Sequence, residues 1–149
     1  MTEKINPITI LMADDDSDDR LMAQEAFAEN KLANDLRFVE DGEELMDYLY
    51  RKGKYNEGNA PLPGLILLDL NMPRKDGRAA LKEIKENPKL KRIPVVVLTT
   101  SKSEEDILKS YDLGVSSFIS KPVTFENLVE TIKTITSYWF GIVVLPKED

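Results

Sequence analysis

The sequence predicts an α/β fold, a doubly wound, five-stranded parallel sheet with helices on both faces. Three observations lead there. Apolar, β-prone runs alternate with amphipathic helical patterns five times along the 149 residues. Several runs are nearly continuous in Val, Ile and Leu, as expected of strands covered on both faces by crossover helices. The composition, 42% hydrophobic and 32% charged, suits one globular domain with a real core.

The first run, 8–13, leads into Asp14, Asp15 and Asp16. The second is 36–39. Asp41 then precedes Glu44 by three, a possible N-terminal cap for a helix with Leu45, Tyr48 and Leu49 at i, i+3, i+4. Residues 51–64, rich in Gly, Asn and Pro, form a long connection and read as a tolerated surface insertion. The third run, 65–68, ends at Asp69. Ala80, Leu81 and Ile84 mark the next helix, stopped by Asn87-Pro88. The fourth run, 95–98, leads into Thr99, Thr100 and Ser101. Ser103, three before Asp106, caps a helix carrying Ile107, Leu108 and Tyr111, with Gly114 as its stop. The short fifth run, 118–119, precedes Lys121-Pro122, and Leu128, Ile132 and Ile135 mark the last helix. Right-handed crossovers favour the flavodoxin-like strand order 2-1-3-4-5. Residues 1–149 read as a single domain, with 138–149 an apolar C-terminal extension.

The chain has no Cys and no His. Disulfides, thiolate nucleophiles, the usual zinc ligands and a phosphohistidine on this chain are excluded. Any metal must be held by oxygen, which points to hard ions such as Mg²⁺ or Ca²⁺. A net charge of −7 with no Lys/Arg block argues against nucleic acid as a partner. No apolar run has the length of a membrane span and the first residues lack a signal peptide's apolar stretch, so a cytoplasmic protein without membrane contact is expected.

Ligands of open α/β sheets bind at the carboxyl ends of the strands, where strand order reverses. The acids 14–16, Asp69, the hydroxyls 99–101 and Lys121 all stand at such ends. Taken singly, each has a plain explanation: a solvated helix cap, turn residues, a surface lysine. Together they are harder to dismiss. Carboxylates on two strands flanking the switch point repel unless a cation sits between them. With a divalent ion present, a carboxylate can attack phosphorus and form an aspartyl phosphate, the metal and a lysine offsetting the phosphoryl charge. Asp69 is the nucleophile candidate, a single acid ending a buried strand, whereas the crowded acids of the first loop suit metal binding.

These residues, in this order and spacing, resemble bacterial response-regulator receiver domains over residues 8–137. The matching pieces are Ile10-Leu11-Met12-Ala13-Asp14-Asp15, Leu68-Asp69-Leu70-Asn71-Met72-Pro73, Asp76-Gly77, Pro94-Val95-Val96-Val97-Leu98-Thr99 and Lys121-Pro122. The resemblance implies Asp69 as phosphoacceptor from a sensor histidine kinase. It implies Mg²⁺ held by the Asp15 and Asp69 side chains and the Asn71 backbone carbonyl, with Asp14 acting through water. Thr99 would be the switch hydroxyl, Lys121 the partner of the acyl phosphate, and Phe118 the aromatic that turns inward on activation. Asn71 and Ser101 occupy the positions that tune dephosphorylation. Ala13-Asp14 departs from the commoner Val-Glu or Val-Asp, a change that should not disturb the site. A narrower resemblance, carried by Asp18-Asp19-Arg20, the long loop before the third strand, and the tail from Tyr138-Trp139-Phe140 to Leu145-Pro146, is to the stand-alone regulators of phytochrome-type light-sensing kinases.

Two other readings stay open on the residues. A haloacid-dehalogenase-type phosphatase also uses an aspartyl phosphate, and Asp14-Asp15-Asp16 superficially permits its Asp-x-Asp. Against it, the chain is short and no acidic pair follows the Lys motif. A receiver-like interaction module that takes no phosphate is the other. In the main reading the chain is no enzyme beyond its own phosphorylation and dephosphorylation, has no output domain, and signals to a downstream protein by contact. The apolar residues from Tyr138 to Leu145 are expected to pair with a second copy, giving a homodimer through the last helix and the tail.

Overall fold

Strands that are apolar at every position need a cover on each face, and the sheet meets that need by simple alternation. In β1 (Thr9–Ala13), Leu11 and Ala13 enter one core while Ile10 and Met12 enter the other. β3 (Leu65–Asp69) sends Ile66 and Leu68 to the first core and Leu65 and Leu67 to the second. β4 (Val95–Thr100) does the same with Val95 and Val97 against Val96 and Leu98. The computed structural model describes residues 9–29, 35–70, 72, 74–100, 117–121 and 124–138, with backbone alone at 99–100, 117–121 and 134–138.

Among the described residues, two helices lie on each face. α2 (Gly42–Tyr50) and α3 (Gly77–Glu86) cover the first core with Leu45, Tyr48 and Leu49, and with Ala80, Leu81 and Ile84, the residues whose spacing predicts those helices. α1 (Ser17–Glu29) and α4 (Phe125–Tyr138) cover the second with Ala23, Ala26 and Phe27, and with Leu128 and Ile132. Asp41 caps α2 as expected, accepting from the Glu44 N–H at 2.8 Å. The Glu44 carboxylate answers to the N–H of Glu40, not to that of Asp41. α3 is capped by Asp76, which accepts from the Arg78 N–H, and it ends at Asn87. The helix expected around Ile107, Leu108 and Tyr111 lies outside the described residues.

The sheet is parallel, in the flavodoxin-like order β2-β1-β3-β4, where β2 is Asp35–Val39. Ser117–Lys121 (β5) is set beside β4, from Val96↔Ser117 to Thr100↔Lys121. β2 is an edge strand, half-exposed, and carries the ion pair Arg37–Asp35 at 2.7 Å, a device that discourages edge-to-edge association.

The 51–64 connection does not hang free. Tyr48 Oη donates to Pro61 O at 2.8 Å, Arg51 Nε to Ala60 O at 3.0 Å and Arg37 Nη1 to Asn59 O at 2.9 Å, while Ala60 is buried. The loop is therefore tied to α2 and to the β2 edge. No described helix is long and apolar enough to cross a membrane.

Candidate functional site

Register decides which acids meet. Ala13 stands opposite Leu68 across β1 and β3, so the next residues, Asp14 and Asp69, emerge side by side at the reversal of strand order. Asp14 is 0% exposed and Asp69 1%, while Asp15 faces solvent. One carboxylate oxygen from each of the three lies within 4.8 Å of the others. Two such charges repel by about 3 kcal/mol at an effective dielectric of about 20, which a cation among them would reverse. The donor set is all carboxylate oxygen, which fits a hard divalent ion and does not fit a soft one.

Asp14 is fixed on several sides. Its N–H donates to Val39 O at 3.1 Å, its Oδ1 accepts from the Asp16 N–H at 2.9 Å, and its carbonyl accepts from Arg20 Nη1 at 2.7 Å. Asp16 has a different task. Its Oδ1 accepts from the Asp18 N–H at 2.8 Å, capping α1, and it takes no part in the cluster. The plain reading of the acidic run as a helix cap thus holds for one acid and fails for the two before it. An Asp14-x-Asp16 nucleophile pair is split accordingly.

The remaining predicted residues are placed by backbone. Asp69 stands opposite Leu98, Thr99 opposite Ser120 and Thr100 opposite Lys121, so Thr99 and Lys121 reach the same rim as Asp69. Phe118 lies further back on β5, opposite Val97. Asn71 and Ser101 lie outside the described residues. Two glycines hold the rim together. A Cβ on Gly77 would stand 2.3 Å from Asp69 O and 2.6 Å from Leu70 Cα, so α3 starts directly on the Asp69 peptide. A Cβ on Gly42 would meet Lys75 O at 2.0 Å, so the start of α2 rests on the loop that leaves β3. Arg74, in a left-handed conformation at φ 65°, reaches from that loop to Asp41 at 3.6 Å. Gly77 stands in the Asp76-Gly77 motif; Gly42, at the start of α2, and Arg74, in the loop leaving β3, carry no sequence signal of their own.

Beside this rim, Glu40, Asp41, Glu44, Lys54, Tyr55 and Arg74 line a polar cleft. Desolvation would raise the Glu44 carboxyl, but Tyr55 Oη at 2.5 Å, the Glu40 N–H and Lys54 hold it below its ordinary value. Burial and the same carboxylate push the Tyr55 phenol up.

A family model described as the response regulator receiver domain matches residues 10–133, the stretch that holds every strand after the first residue of β1 and every candidate ligand. The chain belongs to the response regulator receiver domain family. Among relatives, response regulator Rcp1 of Synechocystis sp. is 43% identical over 147 residues, 98% of this receiver chain and 99% of Rcp1. The solved Mn²⁺-bound form of Rcp1 superposes with a TM-score of 0.79 at 43% identity, covering 95% of this chain and 100% of that one. The phosphorylated cyanobacterial phytochrome response regulator RcpA superposes with a TM-score of 0.81 at 44% identity, over 95% and 100% of the two chains. The acidic cluster of this receiver domain, formed by Asp14, Asp15 and Asp69, is thus of a kind that takes a divalent metal.

Proposed function

We propose that this receiver is a phosphorelay response regulator that takes a phosphoryl group onto Asp69 from a sensor histidine kinase, with Mg²⁺ as the metal, in phytochrome-type light signalling. The observation that carries the reading is the position of Asp69. It is a buried carboxylate at the end of a central strand, with oxygens of Asp14 and Asp15 within 4.8 Å. Asp15 and Asp69 with the Asn71 carbonyl hold the ion, and Asp14 acts through water. Bound there, Mg²⁺ supplies charge neutralisation for the phosphoryl oxygens. The Asp69 carboxylate oxygen forms a bond to phosphorus as the bond from phosphorus to the donor breaks. Lys121 pairs with the resulting acyl phosphate, and the Thr99 hydroxyl turns toward it, making room for Phe118. Asn71 and Ser101 set the lifetime. The register that brings Thr99 and Lys121 to the Asp69 rim supports these roles. The reading takes the sheet as the full five-stranded order 2-1-3-4-5, supported by the register of Ser117–Lys121 beside β4.

Likeness to RcpA over 95% of the chain supports the phytochrome assignment. The chain then works in the cytoplasm, passes its signal to a downstream protein by contact, and pairs with a second copy through α4 and the tail 138–149. Acetyl phosphate should label the wild type in Mg²⁺ and leave Asp69→Asn unlabelled; equal labelling would refute the phosphoacceptor. Phosphotransfer should be faster from a phytochrome-type kinase than from unrelated kinases. Sedimentation of a chain ending at residue 137 should give a monomer, and an unchanged oligomer would refute the tail's role.

A further inference from the structure

We infer that Arg20 is a positioning residue for the metal-binding carboxylates, acting through the Asp14 carbonyl. This rests on the metal site proposed above and adds to it a residue that touches none of the ligand oxygens. The first loop is closed by a chain of bonds. The Asp16 N–H donates to Asp14 Oδ1, the Arg20 N–H donates to Asp16 O at 3.1 Å, and the Arg20 guanidinium returns to Asp14 O at 2.7 Å. The guanidinium is well covered, at 19% side-chain exposure. Its other reach, 3.8 Å to Glu40 Oε2, ends on a carboxylate that is 68% exposed, where an ion pair contributes little. The strong bond is the one to Asp14 O, a charged donor on a short contact. That oxygen belongs to the peptide joining Asp14 to Asp15, so its orientation aims both side chains. Asp15 faces solvent, and its backbone sets where its carboxylate stands.

Charge and position make opposite predictions here, which makes the idea testable. A guanidinium beside acids competes with a cation for them. If Arg20 acted by charge alone, removing it would tighten metal binding. If it acts by holding the peptide, removing it weakens binding, by roughly tenfold as the loss of an outer partner of a metal ligand commonly does.

The experiment is a Mg²⁺ and Mn²⁺ titration of the full chain by calorimetry, with a metal-free thermal melt of each variant to confirm folding. Arg20→Met should bind about tenfold more weakly. Arg20→Lys, which keeps the charge and loses the fork, should fall between Arg20→Met and wild type. Glu40→Gln should match the wild type. Arg20→Met binding as tightly as wild type, or more tightly, overturns the proposal. Should Arg20→Met fail to fold, wild-type affinity in Arg20→Lys overturns it equally. A wild type that takes up neither ion, or an Asp15→Asn variant with unchanged affinity, overturns the metal site itself and is distinguishable from failure of Arg20 alone.

Discussion

Gly42→Ala should destabilise the domain, although alanine is the better helix former. A Cβ at Gly42 would stand 2.0 Å from Lys75 O and 2.7 Å from both Lys75 C and Lys75 Cβ. The nearest of these is main chain, so no side-chain rotation relieves the clash, and the loop must retreat by about 1 Å. Overpacking of that kind costs about 1–3 kcal/mol. Helix propensity returns about 0.5–1 kcal/mol, less at the first helical position than within the helix. The Arg74–Asp41 pair, 3.6 Å apart with the arginine 66% exposed, is lost along with the contact and adds little. The net is a loss of about 1.5 kcal/mol, which for a domain of this length lowers the melting midpoint by about 3–6 °C. Circular dichroism melts of Gly42→Ala and of Gly58→Ala make the comparison. At Gly58 the nearest atom is an exposed Asn56 side-chain oxygen at 3.2 Å, which can move, so no drop is expected. A Gly42→Ala midpoint at or above wild type would refute the close approach of α2 to the loop leaving β3.

Leu81→Ala, at a side chain with no exposure in the first core, should cost about 3 kcal/mol in urea unfolding, and a loss under about 1 kcal/mol would contradict the packing of α3. Tyr48→Phe removes the 2.8 Å bond to Pro61 O and should cost about 1 kcal/mol, with faster proteolysis confined to 51–64. Glu44 titrates below its ordinary 4.5 in the fold, so its stabilisation is whole above that value and is lost as pH falls through the folded-state value; Glu44→Gln should flatten the acid limb of stability against pH. Thr99→Ala should still be labelled by acetyl phosphate yet lose the phosphate-driven rise in partner affinity, and a retained rise would exclude Thr99 as the switch.

What the amino-acid sequence determined by itself is whatever repeats locally. The runs in β1, β3 and β4 are readable because burial on both faces leaves no polar position to interrupt them. Leu45, Tyr48 and Leu49 declare α2 for the same reason, since large side chains at helical spacing make a stripe. The stripe of α1 is Ala23, Ala26 and Phe27, two of them too small to stand out, and its spacing gave no comparable signal. Asp69 was readable as a lone acid ending an apolar strand. Its neighbours in space were readable only as far as the strand-end rule gathers them on one rim; which oxygens meet depends on the register of Ala13 with Leu68, a long-range fact. A division of labour among Asp14, Asp15 and Asp16 was legible only through the resemblance, which assigns the first two to the metal and leaves Asp16 out. Three identical side chains differ only in where β1 stops and α1 starts, and that point makes one a buried group, one an exposed group of the same cluster and one a cap. Arg20 entered only as part of a resemblance, and the 51–64 loop only as an insertion. In each case a backbone carbonyl accepts: Asp14 O takes the bond from Arg20, and the loop's own Pro61, Ala60 and Asn59 carbonyls take those from Tyr48, Arg51 and Arg37. Every residue has a backbone carbonyl, so no letter of the sequence marks the one that will be used; only the packed tertiary structure chooses it.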